Sequence, residues 1–395
     1  MHVRYPVWLR FADPPGAFVF ASLFALESFS RAVLSTVITL QALALFETTR
    51  DVSLIFSLVG VTALIASFSI PSLVRRLSRR AVYSLGAGLL IVAAVLLATI
   101  TMTGQISGML VRVFATACLS ITASLYIMQY INRRDLTRAE PMRLQFSALA
   151  WTAGPWLGVW LYETRGPTWA YSASAVAALL LLTVFWILRL TEHPAVGPAA
   201  KPPPSPLRSI GRYLSQPRLR LAWAITFGRS CWWVFFFIYA PVYMIRAGHS
   251  GEEGALLVSA GNAMLFLTPA FGRLASRYSL RLVMMGAFLA LGATTALAGL
   301  AFASSAWVIV FLLAGSLSCV ALDAVGNIPF IRSVHAYERP QMTTVFRTYI
   351  DASELVTPAL FAVVLTVWDL QGVFILCGVA MATFAYWPRY LPRGM

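Results

Sequence analysis

Residues 17–46 read AFVFASLFALESFSRAVLSTVITLQALALF. The run exceeds the roughly 20 apolar residues that carry a helix across a bilayer. Charge enters it at Glu27 and Arg31, four residues apart. Lipid offers no partner to an unpaired backbone group, so a run of this length predicts a spanning helix. Further runs follow at about 52–74, 82–103, 106–131, 143–162, 168–190, 219–245, 253–273, 282–303, 306–330, 343–367 and 371–388, which makes twelve. Composition agrees. Of 395 residues, 59% are hydrophobic and 11% are charged, less than half the charge of an ordinary soluble domain. Mean hydropathy is +0.76. A water-soluble globular enzyme is not expected.

The formal net charge is +15, from 30 basic and 15 acidic residues. A basic balance can signal nucleic acid, but its placement points to topology. With the N-terminus inside, cytoplasmic segments hold 23 of the arginines and lysines. The opposite loops hold three, Arg50, Arg165 and Arg246, and four lie within spans. The positive-inside rule then puts both termini in the cytoplasm, with the chain in the cytoplasmic (inner) membrane. No nucleic-acid partner is expected.

Cys118, Cys231, Cys319 and Cys377 all lie in apolar runs, and no CxxC pair occurs. His2, His193, His249 and His335 are scattered in loops. Neither a disulfide framework nor a metal site is readable. The single lysine, Lys201, lies in a proline-rich stretch, so there is no GxxxxGK[ST] phosphate loop. No cofactor is expected. The segment from Met1 to Asp13, with Arg4 and Arg10, does not read as a secretory signal.

The longest polar stretch runs from Thr191 to Gln216 and carries Pro194, Pro198, Pro202, Pro203, Pro204 and Pro206. It reads as a linker, 191–216, between a first unit at 1–190 and a second at 217–395. Faint echoes relate the halves. The Arg75, Arg76, Arg79, Arg80 cluster is matched by Arg273, Arg277 and Arg281, and Gly154-Pro155 by Thr357-Pro358. The expected fold is all-α and integral to the membrane, with twelve transmembrane helices in two six-helix pseudo-repeat bundles. That architecture suits a secondary transporter with its site near the midplane.

An ionisable residue inside a span costs roughly 2.5–3.5 kcal/mol on insertion scales, so each needs a reason. Eight occur: Glu27, Arg31, Arg112, Arg229, Asp323, Arg347, Asp351 and Glu354. Helical spacing aligns Glu27 with Arg31, Asp323 with Asn327, and Arg347 with Asp351, each pair at i, i+4. Two readings are open for them: ion pairs that lock helices together, or a polar cavity for substrate and protons. The seventh run adds aromatics, with Trp233 four residues after Arg229, and the fourth carries Tyr126 and Gln129. An arginine beside aromatic faces could hold a planar organic anion.

These features resemble the major facilitator superfamily: twelve helices, both termini inside and a long central linker. The family's loop signature, Gly-x-x-x-Asp-Arg-x-Gly-Arg-Arg, is similar to Pro71-Ser-Leu-Val-Arg75-Arg76-Leu-Ser78-Arg79-Arg80. The basic positions match, while both glycines and the Asp are replaced. Arg112 matches the start of the helix 4 signature, although Ala115 and Thr116 stand where that signature has Gln-Gly. The helix 5 signature, Gly-Pro-x-x-Gly-Gly, is similar to Gly154-Pro155-Trp-Leu-Gly158-Val159. In the superfamily it accompanies exporters running as proton antiporters.

The resemblance implies a monomeric secondary active transporter, not an enzyme, working by alternating access on a small-molecule substrate and protons within the lipid bilayer. Export by proton antiport comes first. Import of a small organic anion by proton symport is the alternative, and a membrane-embedded enzyme or sensor is the remote third. The substrate-binding set is Glu27, Arg31, Tyr126, Gln129, Arg229, Trp233, Asp323 and Asn327. The proton-coupling set is Glu27, Asp323, Asp351 and Glu354. Gating residues are Arg76, Arg80, Arg112, Gly154, Pro155, Gly158 and Arg347.

Overall fold

The computed structural model describes residues 17–130, 136–188, 206–334 and 339–391. The first half contributes α1 (Ala17–Phe46), α2 (Thr49–Leu77), α3 (Arg79–Leu97), α4 (Met102–Tyr130), α5 (Leu136–Thr164) and α6 (Pro167–Ile187). After α7 (Pro206–Leu214) come α8 (Pro217–Arg246), α9 (Gly251–Ala263), α10 (Thr268–Arg277) and α11 (Leu280–Leu300). The chain closes with α12 (Ser305–Val325), α13 (Ile328–Ser333), α14 (Arg339–Val364) and α15 (Leu370–Phe384). No strand occurs among the described residues.

Two spans are broken by proline. Pro269 lacks an N–H and its ring opposes the carbonyl four residues back, so α9 passes through a 3-10 turn, Met264–Leu267, before α10. Pro329 stands in the first turn of α13, and α12 stops at Val325. Counting each broken span once gives the twelve expected. Ten of these are long and apolar enough to cross a membrane. The remaining two, α5 and α14, hold equivalent places in the two halves.

The repeat is visible in the packing. In the first half α1 packs on α5 and α6, α3 on α4 and α6, and α2 on α4. In the second α8 packs on α14 and α15, α11 on α12 and α15, and α10 on α12. A serine pair marks the same contact in each: Ser28 to Ser147 at 3.0 Å and Ser230 to Ser353 at 2.7 Å. Close approach of α1 and α5 depends on two glycines of the helix 5 motif. A Cβ on Gly154 would stand 2.5 Å from the Ala32 Cβ, and one on Gly158 would collide with the Val33 carbonyl.

The halves join at the end that carries the turns at 46–49 and 246–251. There Ala42, Leu43 and Val52 share one apolar cluster with Val242, Tyr243 and Leu257. The Ser53 and Tyr239 hydroxyls meet at 2.7 Å, and Arg246 Nη2 donates to the Glu47 carbonyl at 2.9 Å. Nearer the middle, Gly60 of α2 lets the α14 backbone approach, since a Cβ there would lie 2.5 Å from the Leu355 Cα.

One sequence reading needs correction. Residues 206–214 were expected as linker, but they form α7, whose buried Tyr213 packs with Leu219, Phe346 and Tyr349 and donates to the Leu219 carbonyl at 2.8 Å. The rest of the linker, 191–205, and the N-terminal residues 1–16 lie outside the described residues. In the turn between α2 and α3, Ser78 takes φ 86°. That backbone region favours glycine, and Ser78 stands where the family signature has its second Gly.

Candidate functional site

The intramembrane charges gather where the two halves face each other. On α1, Arg31 Nη1 lies 3.4 Å from Glu27 Oε1, with the Arg31 side chain 25% exposed and Glu27 1%. One turn of helix separates them, as the spacing predicted. On the other side, Arg229 of α8 pairs with Asp323 of α12 at 2.8 Å, with side chains 9% and 20% exposed. This second pair is embedded in further bonds. Trp233 Nε1 donates to the other Asp323 oxygen at 2.9 Å, and Arg229 Nη2 donates to the Tyr349 hydroxyl of α14 at 3.0 Å.

Aromatic rings span the gap between the pairs. The Arg31 guanidinium carbon lies 5.8 Å from the Trp151 ring centre. Trp151 of α5 meets Phe237 of α8 edge to face at 5.3 Å, and Phe237 lies 5.9 Å from Trp233. A continuous path of contacts thus runs from Glu27 to Asp323 through both halves. Each charged end is partly open, with the Arg31 side chain 25% and the Asp323 side chain 20% exposed. Charged groups set among aromatic rings in this way suit a small organic ligand.

Arg112 of α4 joins from below, donating from Nη2 to the Arg31 carbonyl at 2.7 Å. Glu354 of α14 lies in electrostatic range of both Arg31 and Arg112, so the second half supplies a counter-charge to the first. Arg347 and Asp351, expected as a pair, interact electrostatically, and each also bonds across the halves. Arg347 Nη1 donates to the Ser124 hydroxyl at 3.1 Å, and Asp351 accepts from Ser67.

Other expected residues fall elsewhere. Asn327 lies about one turn past Asp323, exposed between the end of α12 at Val325 and the start of α13. Tyr126 is buried among Tyr83 and Phe185, at 6.4 and 5.8 Å. Tyr83 is in electrostatic range of Glu27, so this cluster backs the first ion pair and does not face the second. Gln129 lies at the end of α4, where side chains fall outside the described part. Of the gating set, Gly154 and Gly158 hold α1 against α5, Arg80 lies 3.9 Å over the Trp186 ring of α6, and Arg76 is exposed at the end of α2. Beside Pro155, the Trp156 amide donates across the halves to Ser259 Oγ at 3.1 Å.

Trp151, Phe237 and Tyr349 were missing from the expected site. Trp151 and Phe237 belong to aromatic runs in which period alone does not single out one ring. Tyr349 carried no signal beyond its place on the most polar span of its half.

A sequence profile of the Major Facilitator Superfamily matches residues 20–266. The chain belongs to that superfamily. It is therefore a multi-pass membrane transporter and not an enzyme. No curated protein sequence matches the chain. Among solved structures, it is similar to a POT family transporter in complex with 5-aminolevulinic acid, at 14% identity and a TM-score of 0.76 over 94% of this chain and 95% of that one. A peptide transporter POT in complex with sulfate has 14% identity and a TM-score of 0.73 over 94% and 93%. A nucleoside transporter has 14% identity and a TM-score of 0.71 over 94% and 98%. At such identity these likenesses carry the fold alone.

Proposed function

We propose that this chain is a proton-coupled secondary transporter of a small organic molecule, working by alternating access. The observation that carries the reading is the path from Glu27–Arg31 through Trp151, Phe237 and Trp233 to Asp323–Arg229. Each half supplies one charged wall, so a ligand bound between them senses both halves at once. Rocking of residues 1–190 against 217–395 would then expose that ligand to one side of the membrane or the other. With both termini cytoplasmic in the inner membrane, the tightly packed end is the outer face, and the arrangement described is closed to the outside. The transporter acts as a monomer in this reading.

Proton coupling falls to the intramembrane acids Glu27, Asp323, Asp351 and Glu354, of which Glu354 lies in electrostatic range of two arginines of the other half. The helix 5 motif favours export by antiport. A second reading, symport import of an organic anion, is favoured by the adjacency of Arg31 and Arg112. The test is the full chain in lipid vesicles with an imposed pH gradient and a pH dye inside. Ligand-dependent proton movement is expected, absent from protein-free vesicles. Asp323→Asn is expected to leave substrate movement but uncouple it from the gradient. Unchanged coupling in that variant would remove Asp323 from the proton path. Movement of protons with the ligand, not against it, would decide for import.

A further inference from the structure

We infer that the ligand is a planar organic anion, and that its acidic group binds at Arg31 and Arg112, in competition with Glu354. This rests on the transporter reading above and assigns the chemistry of the same site.

The argument begins with which charges are already engaged. Arg229 spends one terminal nitrogen on Asp323 and the other on Tyr349. Asp323 accepts at both oxygens, from Arg229 and from Trp233. That cluster is neutral, and its bonds lie within the second half. A ligand cation would find its carboxylate occupied. Glu27 is 1% exposed and out of a ligand's reach.

Arg31 is different. Among the described residues its guanidinium meets one acceptor, Glu27 at 3.4 Å, where that of Arg229 meets two. Its side chain is 25% exposed. The helices around it are α4 through Arg112, α5 through Trp151 and α14 through Glu354. Its neighbours thus come from both halves, which places Arg31 at their boundary. Arg112 sets a second guanidinium beside it.

The first half thus carries two cations here against one carboxylate, an excess of one positive charge. Glu354, in electrostatic range of both arginines, comes from the other half and forms an ion pair with neither among the described residues. Its counter-charge is the kind that a ligand anion replaces. A guanidinium presents forked donors to a carboxylate or a similar oxyanion. Trp151 lies against the same guanidinium, and Phe237 continues the wall, which fits a flat apolar body attached to the anionic group.

Binding of naphthoate, naphthylmethanol and naphthylmethylammonium to the purified full chain, followed by calorimetry, tests this. Naphthoate alone is expected to bind. Arg31→Gln should weaken it by about thirtyfold, the loss of one partner from a desolvated charge pair. Glu354→Gln should tighten it by about tenfold, since a competing charge is removed. A misfolded or merely perturbed site does not gain affinity, so that variant separates competition from structural damage. Binding of naphthylmethylammonium in place of naphthoate would overturn the anion assignment and leave the transporter reading intact. Naphthoate binding unaffected by Arg31→Gln, or binding of none of the three, would overturn it as well. Naphthoate that binds in the expected way but never crosses reconstituted vesicles would count against transport and not against the ligand class.

Discussion

The two halves of the molecule make the same contact beside opposite charges. Ser28 meets Ser147 where α1 crosses α5, and Ser230 meets Ser353 where α8 crosses α14. The residue before each first serine is Glu27 in one half and Arg229 in the other. Their partners differ in kind. Arg229 reaches to another helix, pairs at 2.8 Å, and recruits Trp233 and Tyr349. Glu27 pairs along its own helix at 3.4 Å, and its arginine remains partly open. The pseudo-repeat has thus diverged into a wall that is internally neutral and a wall that needs a charge from outside itself. A symmetric scaffold can hold a ligand in one orientation only if its two faces differ in this way.

The largest effect should come from breaking the closed wall. Asp323→Ala would leave the buried Arg229 without its carboxylate, and removing one member of a buried pair costs about 3–5 kcal/mol. A clear fall in melting temperature is expected. The double change Arg229→Met with Asp323→Leu should recover most of that loss, because no unpaired charge remains. Arg31→Gln should cost less, because the Glu27–Arg31 pair is longer, at 3.4 Å, and the Arg31 side chain is 25% exposed. Equal losses for Asp323→Ala and Arg31→Gln would erase the distinction drawn between the two walls.

A smaller effect separates contacts within a half from contacts between halves. Gly158 touches the Val33 backbone inside the first half, and Gly60 touches the Leu355 backbone of the second. Gly158→Ala forces α1 and α5 apart and should cost about 1–3 kcal/mol in a thermal melt. Under the proposed rocking of the halves, Gly60→Ala acts on a moving boundary, so vesicle transport should fall more than stability does. If Gly60→Ala destabilises as much as Gly158→Ala, α2 and α14 are fixed to each other and do not part.

Much of this was legible in the sequence. Apolar runs of bilayer length located all twelve spans, because lipid leaves the backbone no alternative to helix. The i, i+4 rule found Glu27–Arg31, a pair on one uninterrupted helix. The same rule did not foresee the partners that Arg347 and Asp351 take in the other half, Ser124 and Ser67, beside their own electrostatic contact. Pairs between helices, such as Arg229–Asp323, depend on how each helix is rotated, and period does not fix rotation. The polarity of α5 and α14 was a usable signal: both face the boundary between halves, through Trp151 on one and Tyr349 and Glu354 on the other.

The smallest effect lies at the tightly packed end, where α5 meets α9. Trp156 makes two bonds there: its amide donates to Ser259 Oγ at 3.1 Å, and its indole N–H to Glu252 Oε1 at 3.0 Å. The first is partly buried and the second is exposed. Ser259 is 4% exposed, so Ser259→Ala strands an amide away from water and should cost about 1–3 kcal/mol. Trp156→Phe removes only a bond that water can replace at Glu252, and the loss should stay below about 1 kcal/mol. Its consequence is the balance between closed and open arrangements, since the bond exists only while α5 and α9 meet. Faster modification by a water-soluble thiol reagent of a cysteine placed at Ser53, in Trp156→Phe against the parent, reads that balance. An unchanged rate would mean that the apolar contacts of Ala42, Leu43 and Val52 hold this end shut without help from the indole.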